Sequence, residues 1–587
     1  FSFVQNKARG GVIKDPEVHF FERDKHGDRH PKTGTMMGYL TDTLQNQHLL
    51  VPTFTTYLNP KEEESPLVGF IQDNIKRRGV AKKAMFKAEM AGDEVEAAVQ
   101  EVRQKGRKTA NNACSGAHVS FSTPLANKTA HSTLTSNCRS TSGYGNANNE
   151  KMLAGSRHYH SAYVVRNNII SIINRADLGK LEKVMKRYNL HVPTVADVMK
   201  VIHRCSIHYW RSEVEMYQLL QLVRKMTDLQ RAAFIYVGDL YNVMKFNDSM
   251  MRTFIGQLSK QVRDIHPDPD SVFKSEREEL RVLAMQFFET ELRGIPFHEL
   301  SAEQKAMVAS TVQNIQNTIL EYREFIEALL VTDCVPASLA FLPTSIRQIA
   351  LTSDTDSTIF TVQDWVTWYL GELSFSDEAS SVAATMIFLA AESITHILAM
   401  MSANFGVREE LIHLIAMKNE FKFAVFTPTQ VGKHYYADIT CQEGNIYKKS
   451  KEEIKGVHLK ASNVPPEIMK KAKAMMIDTM NRIKAGEKLS LLDRLHEVAE
   501  IEYSIFESIK KGEGFYFKHS QIKTPAAYKN VDSSPYQHYL CWNAVFGPKY
   551  GMAEEPPYSA LVVSLNINNP TEMAEWVNRI KDPGVAE

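Results

Sequence analysis

Apolar and polar positions change texture several times along the chain, and each change predicts a different kind of element. The first sixty residues carry short apolar runs broken by Gly and Pro, such as GGVIKDP at 10–16 and TMMGYLTD at 35–42. That pattern predicts strands joined by turns and the start of a small sheet, with the second run an apolar strand ending in Asp42. From Pro66 to about Asn112 a Lys/Arg/Ala/Glu-rich texture predicts two helices joined near Gly92 and Asp93. Residues 113–160 are rich in Ser, Thr, Asn and Gly. Composition alone permits a disordered linker there, and the apolar positions are too few to assign an element.

No proline occurs between Pro193 and Pro267, and VEMYQLLQLVRKMTDLQRAAFIYVGDLYNVMKF repeats apolar residues at helical spacing, so a helical block fills the middle of the chain. From about 346 the texture is mixed. SIRQIALTSDTDSTIFT and NEFKFAVFTPTQVGKHYYADITCQ predict strands around a helical stretch, followed by a basic helical segment, EIMKKAKAMMIDTMNRIKAGEK, and a final mixed region. The most apolar stretch, Ala379 to Ala391, runs thirteen uncharged residues before Glu392. A membrane-spanning helix needs about 20 apolar residues, so a buried helix of a soluble protein is expected and no membrane partner. No repeat of fixed period is visible.

Composition changes this picture only by exclusion. The 587 residues hold 69 Lys+Arg against 68 Asp+Glu, a formal charge of +1. That excludes a uniformly basic nucleic-acid coat but leaves room for one basic face balanced by acid elsewhere. With 43% hydrophobic and 23% charged residues, neither wholesale disorder nor a fibrous repeat is expected. Six cysteines lie far apart with no CxxC pair, which suggests neither a zinc cluster nor a disulfide framework and fits a reducing compartment. No charged and apolar leader precedes Phe1, so a cytoplasmic location is expected; the missing initial Met points to a fragment or processed chain.

The sharpest chemical signal is IALTSDTDSTIFT at 349–361, a predicted β-hairpin with Asp354 and Asp356 at its tip. Two carboxylates so close repel, and keeping both ionised calls for a cation. Mg²⁺ takes a few carboxylates plus substrate phosphates, which points to phosphoryl transfer assisted by two metal ions. The alternative is a turn whose Asp and Ser residues merely cap the backbone. Arg78 and Lys82 stand four apart on one predicted helix, Lys108 and Asn112 four apart on the next. Each pair shares a helical face, so facing helices would present three cations to a triphosphate. The competing reading is a solvated basic face. His158, His160, His203 and His208 lack partners at metal-ligand spacing, so they read as ordinary histidines. SGYGNAN at 142–148 lacks the lysine of a phosphate-binding loop, and Asp239 in YVGDL reads as core packing within a helical pattern.

These residues carry a resemblance to the palm, fingers and thumb of family B DNA polymerases of the large-bacteriophage kind. Asp354-Thr355-Asp356-Ser357 resembles the third palm motif, YGDTDS, with Thr352-Ser353 in place of Tyr-Gly. RQKGRKTANNACSGA at 103–117 is similar to the fingers motif KxxxNSxYGA, which places Lys108, Asn112 and Gly116 on its Lys, Asn and Gly. Ala113 and Ser115 depart from its Ser and Tyr. IKRRGVAKKAM at 75–85 resembles the preceding fingers helix and puts Arg78 and Lys82 on its Arg and Lys. GKHYYAD at 432–438 resembles the KKRY stretch near the primer terminus, carried by Lys433 and Tyr435. The following EIKGVHLKASNVPPEIMKKAKA resembles the passage from palm to thumb, where Lys455, Lys460, Lys470, Lys471 and Lys473 would follow duplex phosphates. Glu420 falls where the palm often supplies another carboxylate. Tyr144, just after the fingers motif, is a candidate stacking surface.

The first palm motif, DxxSLYPS, has no counterpart string. TMMGYLTD nominates Asp42 as its carboxylate; aligning Pro52-Thr53 and Asn59 on the motif instead would place Asn46, a neutral and weaker ligand, at that position. The interval between Gly116 and Asp354 is several times the usual one, so much of 160–345 is expected to be a helical insertion. The resemblance thus implies an α+β polymerase right hand with an antiparallel palm sheet. Its expected parts are palm at 1–60 and 346–460, helical fingers at 61–125, a post-fingers segment and insertion at 126–345, and a mostly helical thumb at 461–587. It implies two Mg²⁺ ions at Asp42, Asp354 and Asp356, a dNTP clamp at Arg78, Lys82, Lys108 and Asn112, and primer-template contacts at Lys433, Tyr435, Lys455 and Lys460. A proofreading exonuclease would be absent or lie on a separate chain. The alternative is a non-catalytic, polymerase-like DNA-binding subunit of a replication complex.

Overall fold

Residues 15–59, 61–62, 64–275, 277–334, 344–456, 464–513, 516–562 and 569–579 are described by the computed structural model. They begin with an antiparallel hairpin, β1 (Glu17–Arg23) and β2 (Arg29–Thr35). The run TMMGYLTD then departs from expectation. It forms a helix, α1 (Met36–Gln45), rather than a strand ending in Asp42. Thr35 caps it by accepting from the Gly38 N–H at 3.1 Å, and Met36, Met37, Leu40 and Leu44 recur at helical spacing. Two short strands follow, β3 (Leu49–Leu50) and β4 (Thr56–Tyr57).

The expected helical pair is α2 (Leu67–Ala91) and α3 (Glu94–Ala117). It turns at Gly92, whose φ of +75° is left-handed and costs glycine little. Asp93 restarts the chain by accepting from the Glu96 N–H at 3.0 Å.

The polar stretch that composition left open is ordered. Within it lies α4 (Lys128–Ala154), begun by Asn127 accepting from the Ala130 N–H and ended by Gly155 at φ +61°. Every residue from Gly145 to Ala154 is buried, so SGYGNAN is interior helix rather than loop. Its polar side chains tolerate burial because many find partners on neighbouring elements, as described below.

Helices α5 to α15 follow between Ala162 and Leu329 and bring the central block to its expected form. Their apolar faces make the main core with Phe234, Phe254, Phe287 and Phe325 at its centre. Asp239 is fully buried, as expected of a packing residue, but it stands at a junction between two helices rather than inside one. It pairs with Arg157 at 2.7 Å. Lys151, also buried, donates to the Val237 carbonyl at 2.8 Å, and burial pushes its amine down to about 8, helped by Arg157.

Next come the strands β5 (Ala350–Ser353) and β6 (Thr358–Phe360) and the helices α16 (Gln363–Leu370) and α17 (Asp377–Asn404). The α17 helix contains the most apolar stretch and is long and apolar enough to cross a membrane. Its most apolar window is 72% buried inside the fold, and it packs along α4 and along α13 (Glu278–Phe287). A three-stranded sheet then runs in the order β7 (Phe421–Pro428), β8 (Tyr435–Gln442), β9 (Asn445–Lys455). The last elements include α18 (Pro466–Lys484), α19 (Leu491–Lys510) and the antiparallel pair β10 (Lys518–Ile522) and β11 (Tyr558–Val562). Long helices with small sheets make the fold α+β. The chain divides into two compact units, 1–423 with 439–451, and 424–438 with 452–587.

Candidate active site

The β5–β6 hairpin forms as its sequence predicts. Ser353 faces Thr358, and Asp354, Thr355, Asp356 and Ser357 make the exposed tip. The tip is closed by its own backbone: the Asp354 N–H donates to the Ser357 carbonyl at 2.9 Å, and the Thr355 N–H donates to Asp354 Oδ1 at 2.8 Å. Such a turn brings two carboxylates to solvent without burying either.

What supports the tip is α4, through side chains spaced four apart on one face. Ser142 Oγ donates to the Thr355 carbonyl at 2.7 Å and lies 3.4 Å from the Asp354 carbonyl. One turn on, Asn146 spans both strands: Nδ2 donates to Ser353 Oγ at 2.8 Å, and Oδ1 accepts from Thr358 Oγ1 at 2.5 Å. A further turn on, the fully buried Glu150 carboxylate accepts from the N–H groups of Gln348, Ile349 and Ala350 at 3.0, 2.8 and 2.8 Å.

Burial pushes the Glu150 carboxyl up. His158, 3.6 Å away, and the three backbone donors outweigh that and hold it below the usual carboxylate range. His158 in turn contacts the Tyr209 hydroxyl at 2.9 Å, and that hydroxyl accepts from the Ile346 N–H. The histidine is therefore part of the hairpin's support. Cys138, one turn before Ser142, is held above its ordinary value by burial and then by the negative charge of Asp356. Tyr144 packs against Ile394, Leu398 and Met401 rather than standing clear for stacking.

Asp354 and Asp356 offer hard oxygen donors. Mg²⁺ is commonly held by one or two carboxylates, with water and substrate phosphates completing its shell, so this donor set suits such an ion. Among the described residues no group of three His, Cys, Asp or Glu side chains is placed to hold a metal.

The remaining expected site residues are placed less simply. Asp42 lies on the exposed side of α1, where its carboxylate accepts from Asn46 Nδ2 at 2.9 Å. The two residues weighed for the first palm position therefore engage each other, one helical turn apart. Arg78 Nε reaches Gln104 Oε1 on α3 at 3.5 Å. Lys82 is paired with Glu420 at 3.2 Å and also with Glu443, so the expected phosphate clamp and the expected extra carboxylate meet in one ion-pair cluster. Lys108 and Asn112 are exposed on α3 and make no side-chain hydrogen bond with a described residue. The α3 cation turned toward α2 is Arg107, which donates to Asn74.

In the second unit, Tyr435 is buried and packs on Phe426 at 4.7 Å between ring centres. Burial would lower the Lys455 amine, but Tyr435 and Glu453 beside it prevail and raise it. Lys433 sits at a left-handed position, φ +65°. Lys470 is exposed on α18, Lys471 lies over the Tyr516 ring, and Lys473 pairs with Glu452 at 3.4 Å. Lys460 lies outside the described residues.

Ser142, Asn146 and Glu150 were not legible as site residues. The one available signal was their spacing of four, hidden in a segment whose composition gave no reason to draw a helix. A family described as Divergent Family B DNA polymerase has a model that matches residues 2–587. No curated protein and no solved structure matches the chain.

Proposed function

The chain belongs to the divergent family B DNA polymerases, and from that premise we propose that it performs template-directed DNA synthesis, extending a primer 3′-OH with dNTPs. The observation that carries this reading is the exposed Asp354–Asp356 tip on a hairpin braced from below by a buried helix. The three tethers hold the turn, the strand pair beneath it and the segment leading into it, so the carboxylates are presented from a fixed base. On this reading 1–60 and 346–460 form a palm, 61–125 the fingers, 126–345 a post-fingers segment and insertion, and 461–587 the thumb of a right hand.

Asp354 and Asp356 would hold the Mg²⁺ ions, with Asp42 the candidate for a third carboxylate. When bound, such ions acidify the attacking hydroxyl and neutralise charge on the phosphates. The protein's own part is to present the carboxylates ionised and fixed, and to orient the triphosphate. Arg78, Lys82, Lys108 and Asn112 would receive its phosphates, which requires Lys82 to exchange Glu420 and Glu443 for the nucleotide. Lys433, Tyr435, Lys455, Lys460 and the α18 lysines would follow the primer-template backbone, contacts weakened by salt.

The test is Asp356→Ala in a primer-extension assay with matched DNA-binding measurements. Extension falls by about a hundredfold to a thousandfold, the order expected when a principal catalytic electrostatic contact is lost, while DNA affinity holds. Extension at the wild-type rate refutes the site. A second reading, a non-catalytic DNA-binding subunit, draws on the departure from the first palm motif, where a neutral Asn46 in place of Asp42 would leave Asp354 and Asp356 without a third carboxylate. It predicts wild-type DNA binding and no extension from either protein.

A further inference from the structure

We propose that Ser142 and Asn146 are positioning residues for the reaction, fixing the peptide planes at the hairpin tip so that Asp354 and Asp356 stay in register for a shared divalent cation. This inference rests on the reading of the tip as the catalytic carboxylate pair.

The argument starts from electrostatics. Two neighbouring carboxylates repel, and the repulsion acts on a four-residue turn at solvent, where backbone torsions are softest. The turn's own bonds limit that freedom in part. The Asp354 N–H to Ser357 bond closes the loop, and the Thr355 N–H ties one Asp354 oxygen back to its own chain. Neither bond fixes the peptide that follows Thr355, and its orientation sets where the Asp356 side chain leaves the backbone.

Ser142 supplies that constraint. Its hydroxyl is buried, 2.7 Å from the Thr355 carbonyl and 3.4 Å from that of Asp354. The two carbonyls belong to the successive peptide planes on either side of the Thr355 Cα, and both face Ser142 on α4. Because the Ser142 hydroxyl also lies 3.1 Å from the Cys138 carbonyl, its proton has a fallback acceptor. Losing the tip contact would therefore leave no buried orphan donor on α4.

Asn146 acts one step lower. A single amide donates to Ser353 on one strand and accepts from Thr358 on the other, at the pair just beneath the tip. It fixes the separation of the strands where they enter the turn. The α4 backbone is buried from Gly145 onward, where Ile394 of α17 and Met417 of the segment before β7 lie 3.6 and 3.5 Å from the position a Gly145 side chain would occupy.

The experiment compares the wild-type chain with Ser142→Ala, Ser142→Thr, Asn146→Ala and Asp356→Ala. Mn²⁺ binding is titrated by electron paramagnetic resonance on a dideoxy-terminated primer-template with dNTP, and the Mg²⁺ dependence of extension is measured in parallel. Ser142→Ala should weaken Mn²⁺ binding by up to about tenfold, the cost of one neutral hydrogen bond, and Asn146→Ala, which loses two, by at least as much. They should raise the Mg²⁺ midpoint equally and lower kcat, with the KM for dNTP unchanged at saturating metal. Ser142→Thr, which keeps the hydroxyl, should restore both readouts. Wild-type Mn²⁺ binding in folded Ser142→Ala and Asn146→Ala, with Asp356→Ala impaired, overturns this inference alone. Mn²⁺ binding and extension unaltered by Asp356→Ala overturn the catalytic reading, and this inference with it.

Discussion

Glu150→Gln separates the brace from the tip it supports, because the substituted atom lies in the core and touches neither aspartate. The wild-type carboxylate accepts from three successive N–H groups at 2.8–3.0 Å. Hydrogen bonds to a charged group contribute about 1.5–3 kcal/mol each, against about 0.5–1.5 for neutral ones. Removing the charge while keeping the shape therefore costs about 1 kcal/mol per bond, or about 3 kcal/mol locally. At about 1.4 kcal/mol per decade, that opens the Gln348–Ala350 segment about a hundredfold more often. Amide hydrogen exchange measures this directly, since these N–H groups are the ones bonded. Exchange within about threefold of wild type in a folded variant would refute the ledger.

The same carboxylate fixes a pH dependence. Its folded value lies below the ordinary 4.5, so its contribution is fully present above that value. The contribution is lost as pH falls through the folded value. Protection at 348–350, corrected for intrinsic exchange, should accordingly be flat from neutral pH to about 5 and decline below it.

Asp239→Ala should leave the Arg157 guanidinium buried without its counter-ion and lower stability by about 3–5 kcal/mol, seen as a lower urea midpoint in far-ultraviolet circular dichroism. An unchanged midpoint would mean that the pair is worth little. Glu420→Gln combined with Glu443→Gln frees Lys82 from a partly exposed cluster, with at most about 1 kcal/mol at stake per pair. If Lys82 receives the triphosphate, the KM for dNTP should fall a few-fold in steady-state extension; an unchanged KM would remove Lys82 from the clamp.

Much of the fold could be read from local pattern because local physics controls it. The α2–α3 pair announces itself through a Gly-Asp junction in which glycine takes the left-handed position and aspartate caps the next helix. The β5–β6 hairpin is equally local, an alternating apolar run on each side of a polar turn, so Asp354 and Asp356 were legible as a tip from sequence alone. Where two local patterns compete, the sequence reading failed. TMMGYLTD has enough apolar residues for either element, and a threonine cap decided for helix, which moved Asp42 from a strand end to a helical turn beside Asn46.

Tertiary structure alone decided α4. Its Ser, Asn and Gly residues are poor helix formers in isolation, since their side chains compete for the backbone. Burial beside α17 and bonds to a hairpin some two hundred residues away make the helix worth forming. No local window holds that information, because the partners are set by the path of the chain through space. The sequence determined which residues carry charge at the tip; the packing of a distant polar helix determined that the tip is held still.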